Sequence, residues 1–342
     1  MLRKSLLPIS FFIAILSGCA CTQQGDSTHG PVVADPHDQP ETPVDTTPPE
    51  TNPPKPDETP QPLPFEDTPL PNTLRIATWN VHNYFDTVCD SASGCGGSNY
   101  EPYVSETSYR TKMLSVADGI KKIDADVLLL QEIEKDSCLV DVQNWLGTNI
   151  YPSYAFGEMG NTAGLDVAIL TRGTITNVIT YRDKYWISQP DGSQKRLARE
   201  LLAAEITLPN GIELTAFTTH FVSKATDAEG SRRLGEAKLT RELLDTYIAE
   251  HPGRLVVFGG DLNDFPDSEQ IQTLSGDENL NSVADKIEGP ITTWGDSATF
   301  DYLFYSAEDV QKLHNAEVIC DGYRQNGFSS SDHCSVKAVF EF

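Results

Sequence analysis

Basic residues are scarce in this sequence: 25 lysines and arginines face 50 aspartates and glutamates, a net charge of −25. That shortage argues against a general nucleic-acid-binding surface, which needs Lys and Arg against phosphate. It leaves open a hydrolase that works with bound cations, because the ions reverse the local charge and a few arginines near the scissile phosphate suffice. Taken by itself, the acidity serves solubility. Large apolar residues are nearly missing from residues 22–72, which are rich in Pro, Thr, Asp and Glu and hold ten acids against the single base Lys55. No core can form there, so the segment reads as an extended, solvated tether. Cysteine is limited to seven residues, and no spacing matches a zinc site. The apolar run at residues 6–16 is too short to span a bilayer as a helix.

What stands at the start is Arg3 and Lys4, then that apolar run, then small residues, the order of a secretory signal. Leu16-Ser17-Gly18-Cys19 resembles the bacterial lipoprotein signal. The resemblance implies removal of residues 1–18, a lipid on Cys19 and attachment to the cell envelope; an ordinary signal peptide with a chance Cys is the alternative. Ala20, in place of the Asp that commonly retains lipoproteins at the inner membrane, points to the outer membrane, on its periplasmic or surface face. The expected organisation is a signal at 1–18, a lipidated Cys and tether at 19–72, and a folded domain at 73–342 that acts as a monomer. In an exported, oxidising setting, Cys89 and Cys95 flank a flexible loop that a local disulfide closes; the other pairings stay open.

The folded part is organised around Leu255-Val256-Val257-Phe258-Gly259-Gly260-Asp261-Leu262-Asn263-Asp264, an apolar run that ends in glycines, acids and an amide. It predicts a strand buried on both faces, with the glycines turning the chain sharply as it leaves the sheet. Asp261, Asn263 and Asp264 then stand at the carboxyl end of a strand, where open α/β sheets place ligands. Their oxygen and amide donors suit a hard cation and phosphate chemistry better than zinc. An Asp/Asn turn is the bland alternative.

Other segments repeat the pattern. Residues 74–81 predict a strand whose Asn80, beside Trp79, needs a hydrogen-bond or metal partner if buried, or else caps a turn. Residues 86–104 read as loop, and 109–123 as an amphipathic helix with Met113, Val116, Ile120 and Ile123 at helical spacing. A second buried strand at 126–133 runs to Glu132, the counterpart of Asp261. Two distant strands thus bring carboxylates to one sheet edge, as a metal site requires; a solvent-facing Glu is the alternative. Strands follow at 164–170, carrying Asp166, and at 175–181, 201–208 and 212–220. The last ends on His220, either structural or an acid–base group beside the carboxylates. Lys195, Arg196 and Arg199 form a basic cluster, and a helix at 231–248 carries Arg232 and Arg233, which reach a phosphate or are simply solvated. Residues 300–305 predict a strand that buries Asp301, and Ser331-Asp332-His333 supplies its partner ahead of the last strand. An Asp holding a His fixes its tautomer and raises its basicity, as acid–base catalysis needs.

Seven pieces stand in order: Thr78-Trp79-Asn80-Val81, Leu130-Gln131-Glu132, Asp166-Val167-Ala168-Ile169-Leu170, Thr219-His220-Phe221, Gly260-Asp261-Leu262-Asn263, Asp301-Tyr302-Leu303 and Ser331-Asp332-His333. Together they resemble the endonuclease/exonuclease/phosphatase superfamily, the group of deoxyribonuclease I, exonuclease III, inositol polyphosphate 5-phosphatases and bacterial sphingomyelinases. The resemblance covers residues 73–342. It implies an α/β fold, a four-layered α/β sandwich of two packed central β-sheets with helices outside. It implies a divalent metal, Mg²⁺ first with Mn²⁺ or Ca²⁺ as alternatives, bound by Glu132 with help from Asn80 and, directly or through water, Asp332. It further implies that His333, held by Asp301, and Asp261 position or deprotonate the attacking water. Asn263 and His220 would stabilise the phosphoryl oxygens and leaving group, with Asp166 orienting His220. His220-Phe221-Val222-Ser223-Lys224, followed by Arg232-Arg233 and Glu236-Ala237, is similar to the exported bacterial nucleases, and Arg199 resembles their substrate-phosphate arginine. Val222 departs from that pattern, in which Lys is common, and removes a charge beside the substrate.

Three readings follow. The first is an envelope-anchored nuclease with DNA or RNA as substrate. The second is a phosphatase or phospholipase C-like enzyme acting on inositol phosphates or sphingolipid headgroups. The third is a non-catalytic adhesin that keeps the fold. Against the lipid reading, no hairpin of consecutive aromatics looks exposed, although Tyr84-Phe85 and residues 181–186 are contact-loop candidates. Against the adhesin, Asn80, Glu132, His220, Asp261, Asn263, Asp301 and His333 are all present together.

Overall fold

Residues 73–84 alternate between two apolar environments: Leu74 and Ile76 enter one buried cluster, while Ala77, Trp79 and Val81 enter another. A strand with that pattern is covered on both faces. The computed structural model describes residues 70–97, 99–160, 164–275, 279–295, 297–320 and 328–342. The chain separates into two compact units, Met1–Asn52 and Pro53–Phe342, and every described residue belongs to the second. The expected signal, the lipidated Cys19 and nearly all of the tether lie outside the described residues.

In chain order the strands are β1 (Thr73–Tyr84), β2 (Val127–Ile133), β3 (Ser153–Gly157), β4 (Asp166–Thr171), β5 (Thr174–Thr180), β6 (Ile187–Ser188), β7 (Gln194–Lys195), β8 (Leu202–Thr207), β9 (Glu213–His220), β10 (Leu255–Asp261), β11 (Leu280–Ser282), β12 (Asp301–Ser306), β13 (Leu313–Ile319) and β14 (Ser335–Glu341). The α-helices are α1 (Glu106–Ile123), α2 (Asp136–Leu146), α3 (Ser231–Glu250) and α4 (Glu269–Ser275). One six-stranded sheet has the order β13-β14-β1-β2-β4-β3, the other β11-β12-β10-β9-β8-β5, and β6 pairs with β7 in a small hairpin. The two sheets share a plan. β1 runs parallel to β2 and antiparallel to β14; β10 runs parallel to β9 and antiparallel to β12. Each parallel pair needs a crossover, supplied by α1 and α3.

Three apolar clusters fix the layers. Leu74, Ile76, Val127 and Leu129 of the first sheet meet Ala204, Leu214, Val257 and Leu303 of the second. On the first sheet's outer face, Trp79, Leu128 and Leu130 pack under Val116 and Ile120 of α1 and Leu139 and Val142 of α2. On the second sheet's outer face, Phe217, Val256 and Phe258 pack under Leu244 and Tyr247 of α3 and Ile271 of α4. The fold is the expected four-layered α/β sandwich.

Some details differ from expectation. α1 begins at Glu106, ahead of Tyr109, because the Ser105 hydroxyl accepts from Ser108 N at 3.1 Å and caps the helix. β1 runs past Val81 because His82 and Asn83 take φ of 58° and 50° and return the chain to pair Tyr84 with Ile133. Gly259 and Gly260 lie inside β10 and make no turn. A Cβ on Gly260 would stand 2.0 Å from Thr219 O, so glycine here permits close approach of β9. The Cys89–Cys95 disulfide is present, and a second bond joins Cys320 to Cys334.

Candidate active site

The inner faces of the central strands turn polar at one edge of the sandwich. In β1 the series Leu74, Ile76, Thr78, Asn80 follows the two-residue period; in β10 it is Leu255, Val257, Gly259, Asp261; in β9, Leu214, Ala216, Thr218, His220. Gln131 Nε2 donates to Thr78 Oγ1 at 3.1 Å and to Thr218 Oγ1 at 3.0 Å, a buried polar rung between the sheets. One step further out stand Asn80, His220, Asp261 and Asp301, the last two and His220 aligned by the pairings Asp261↔His220 and Asp261↔Asp301.

Glu132 joins them by breaking the period. Its φ is 66°, and the β2 ladder shifts register between Gln131 and Ile133. A non-glycine residue held there costs about 1–3 kcal/mol, which the surroundings must offset. The carboxylate accepts from Asn80 Nδ2 at 3.0 Å and from Asn83 N at 2.7 Å.

Asn80 is fully buried. Its Nδ2 bridges Glu132 Oε1 and Asp261 Oδ2, the latter at 2.9 Å, while its Oδ1 accepts from His82 N at 2.9 Å. The side chain thus acts as the donor that holds two carboxylates together, and its oxygen, with one hydrogen bond from the backbone, keeps a second lone pair for the expected help to a metal. Asp332, expected to help the metal directly or through water, stands at the rim of the site. One oxygen meets His82 Nδ1 and the other accepts from Trp294 Nε1 at 2.9 Å. Glu132, His220 and Asp261 present ligand atoms within 4.8 Å of one another, as do Asp261, Asp301 and His333; among the described residues Asp332 joins neither group. This set of carboxylate oxygens, with space for water, fits a hard divalent ion.

His333 Nδ1 lies 2.8 Å from Asp301 Oδ2, and its Nε2 is 3.6 Å from Asp261 Oδ2. The main chain locks the ring in place: His333 N donates to Ser331 Oγ at 3.0 Å, and Ser331 Oγ donates to Asn80 O at 2.6 Å. Burial opposes charging His333, but the carboxylates of Asp301 and Asp261 outweigh it and raise its pKa. Burial likewise raises Asp261, against the pull of His333. Burial also raises Asp332, yet the His82 hydrogen bond and the His333 charge overcome it and hold that carboxyl below the usual range.

His220 behaves differently. Burial, then the charges of Arg199 and His333, push its pKa well down, so the ring is neutral. Asn263, at φ 52°, donates from Nδ2 to Phe221 O at 3.1 Å and faces His220 Nε2 at 3.0 Å. The Phe221 carbonyl fixes that amide orientation, so His220 Nε2 is the acceptor. Both donors of Asn263 are therefore engaged within the protein here. Asp166 does not orient His220. Among the described residues His220 Nδ1 has no hydrogen-bond partner, whereas Asp166 Oδ1 accepts from Met159 N at 3.2 Å and Oδ2 finds no partner. Burial, with Glu158 nearby, raises Asp166 to about 8.

The basic residues divide. Arg199 lines the cleft, with Nε donating to Leu165 O at 3.3 Å. Arg233 is buried and donates to Asp264 Oδ2 at 2.9 Å, and Arg232 donates to Arg196 O at 3.1 Å, so this pair braces loops. Arg196 lies over the Trp186 ring. The cleft has a volume of about 560 Å³, and its walls include Lys224, from the stretch after His220, and Tyr100, Phe265 and Trp294, which sequence patterning does not mark. Glu236 on α3 is a further residue without a sequence signal for its role: it accepts from Ala198 N at 2.7 Å and Val222 N at 2.9 Å, clamping the segments that carry Arg199 and His220.

Residues 77–333 match the model of the Endonuclease/Exonuclease/phosphatase family. The chain belongs to this family. Among curated proteins, the inositol phosphosphingolipids phospholipase C of Schizosaccharomyces pombe is 23% identical over 279 residues, covering 68% of this chain and 64% of the relative. The chain thus spans less than two thirds of that relative's length. The crystal structure of truncated Caenorhabditis elegans TDP2 superposes with a TM-score of 0.55 at 19% identity, over 79% of this chain and 98% of that one. A mannosyl-6-phosphatase from Bacteroides thetaiotaomicron gives 0.54 at 17% identity, over 78% and 98%. At such identities the solved structures share the fold. The family comprises metal-dependent phosphoesterases, and the cluster around Glu132 and Asp261 supplies this chain with the oxygen ligands that such chemistry uses.

Proposed function

We propose that this chain is a divalent-metal-dependent phosphodiesterase that cleaves nucleic acid, anchored to the cell envelope by a lipid on Cys19. One observation carries the catalytic part: Asn80 holds Glu132 and Asp261 together while Asp301 holds His333 against the same Asp261. Glu132 and Asp261 would hold the ion, with Asp332 acting through water, and the oxygen donors favour Mg²⁺, with Mn²⁺ or Ca²⁺ as substitutes. When bound, the metal polarises a phosphoryl oxygen and makes a bound water more acidic. Asp261, 3.6 Å from His333 Nε2, would accept the proton of the attacking water, and His333, held by Asp301, would face the charge that develops. Arg199, at the cleft wall, would meet the remaining phosphate charge, with Lys224, paired to Asp264 Oδ1 at 2.6 Å, near it. Nucleic acid rather than a lipid is favoured by the aromatic wall of the cleft, and the anchor by the order of Arg3, Lys4, the apolar run and Cys19.

The second reading, a phospholipase C-like activity, has its own support. Tyr185 and Trp186, within the contact-loop candidate at residues 181–186, are consecutive, exposed, and lead into the β6–β7 hairpin. A panel of supercoiled plasmid, single-stranded RNA, inositol phosphates and sphingophospholipid vesicles, each with Mg²⁺ and with EDTA, separates the two. Cleavage of nucleic acid supports the first reading. Release of phosphate or headgroup alone moves the assignment to the second.

A further inference from the structure

Two short segments beside the site hold backbone conformations that their residues disfavour. β1 leaves its ladder after Asn80 through His82 and Asn83, and the turn ahead of Asp332 carries Ser329 and Ser330 at φ of 46° and 65°. That turn is closed by Phe328 N donating to Ser331 O and Ser331 N donating to Phe328 O, both at 3.0 Å. A two-residue turn with positive φ at both centres favours Asn-Gly over two serines, so a contact from outside the turn must help to hold it.

Lys112 of α1 supplies that contact. Its Nζ donates to Val81 O at 2.7 Å and to Ser330 O at 2.8 Å, one ammonium across both segments. The preceding carbonyl of β1, Asn80 O, accepts from Ser331 Oγ, which in turn accepts from His333 N. Lys112 and Ser331 therefore cross-link the same two loops at consecutive carbonyls, with Asn80 on one loop and Asp332 and His333 on the other. The helix that carries Lys112 is itself fixed, because Met113, Val116 and Ile120 are buried against the outer face of the first sheet. The lysine head group serves a different end from that packing: it ties two carbonyls on separate loops to a rigid element. A charged donor makes each of these bonds stronger than a neutral one would.

We infer that Lys112 is a positioning residue for hydrolysis, which sets the Asn80 loop and the His333 loop against each other; the inference rests on the phosphodiesterase reading above. The test follows hydrolysis of bis(p-nitrophenyl) phosphate with Mg²⁺ by the wild-type protein and by Lys112→Arg, Lys112→Gln and Lys112→Met. Arginine keeps charged donors for both carbonyls, glutamine keeps a shorter neutral donor, and methionine keeps none. In Lys112→Met, kcat should fall on the order of tenfold to a hundredfold with KM little changed, the effect of a small misplacement of reacting groups. Lys112→Gln should lie between, and Lys112→Arg should restore most of the rate. Circular dichroism and denaturant unfolding establish that each variant is folded at the assay temperature; if Lys112→Met is not, the fall from Lys112→Arg to Lys112→Gln decides. Wild-type kcat in the folded variant that lacks the charged donor overturns the inference and leaves Lys112 a tie for stability alone. A rise in KM at unchanged kcat also overturns it, by making Lys112 a substrate contact. Absence of turnover by the wild-type protein overturns the diesterase reading itself, and the positioning role with it.

Discussion

Asn80 and Asp261, 181 positions apart in sequence and on different sheets, share a 2.9 Å hydrogen bond from Nδ2 to Oδ2. The same Nδ2 serves Glu132, so one buried amide sets the spacing of two carboxylates that otherwise repel. Asn80→Ala should cost about 1–3 kcal/mol of stability from the unpaired buried groups it leaves. Turnover should fall much further than that loss of stability explains. Denaturant unfolding beside steady-state rates checks both; a variant with normal turnover would remove Asn80 from the organisation of the site.

Asp301 is the nearest anion to His333 and the main charge that raises its pKa. In Asp301→Asn the imidazole loses that support, so its pKa should drop toward the ordinary value and the ring should lose its fixed tautomer. Activity should fall by about 10²–10⁴, the usual worth of a positioned acid or base. Proton NMR titration of the His333 ring measures the shift directly, and an unmoved pKa contradicts the assignment.

Asp166 gives a stability prediction with a definite sign. Its carboxyl is raised from 3.8 to about 8 in the folded chain, chiefly by burial. Between those values the folded state keeps a proton that the unfolded chain has lost, so its stabilising contribution is full at acid pH and is lost as pH rises toward 8. The slope is at most about 1.4 kcal/mol per pH unit. Asp166→Asn keeps the acceptor for Met159 N and removes the titration. Unfolding free energies of the two proteins from pH 5 to 8 should therefore converge at the acid end and separate at the basic end, with the variant more stable there. Parallel curves would refute it.

Glu236 positions rather than reacts. Glu236→Ala frees both the Ala198 and Val222 amides, so the Arg199 and His220 segments should loosen together. The expected result is a rise in KM as well as a fall in kcat, partly rescued by Glu236→Gln, which keeps an acceptor. A pure stability loss with kinetic constants unchanged at low temperature would leave Glu236 a structural clamp only.

Much of this was legible in the sequence because the central strands carry their chemistry on a strict two-residue period. Asn80, His220, Asp261 and Asp301 each interrupt an apolar face at its end, and the layered fold follows from the same alternation. The edge strands β3 and β13 were not legible, since β3 mixes half-buried with buried positions and β13 adds exposed ones, so neither keeps a clean two-residue period. Glu132 announced itself by residue type, but the positive φ that aims it was invisible. The hydrogen-bonding of Asp332 depends on His82 and Trp294, one from a left-handed kink and one from a separate loop, and no local pattern links them. Asn263 was marked by its motif, but its hydrogen bond to Phe221 O, set by a positive φ, was not visible in the sequence.

The central claim is that Glu132, Asp261 and the His333–Asp301 pair make one metal-dependent phosphodiesterase centre. The most direct measurement is the rate at which residues 73–342 nick supercoiled plasmid as Mg²⁺ is titrated, for the wild-type protein and for His333→Ala of matched circular dichroism. The account predicts nicking that rises with Mg²⁺ to saturation, stops on adding EDTA and is absent from the variant. Equal nicking by both proteins, or nicking that survives EDTA, would contradict it.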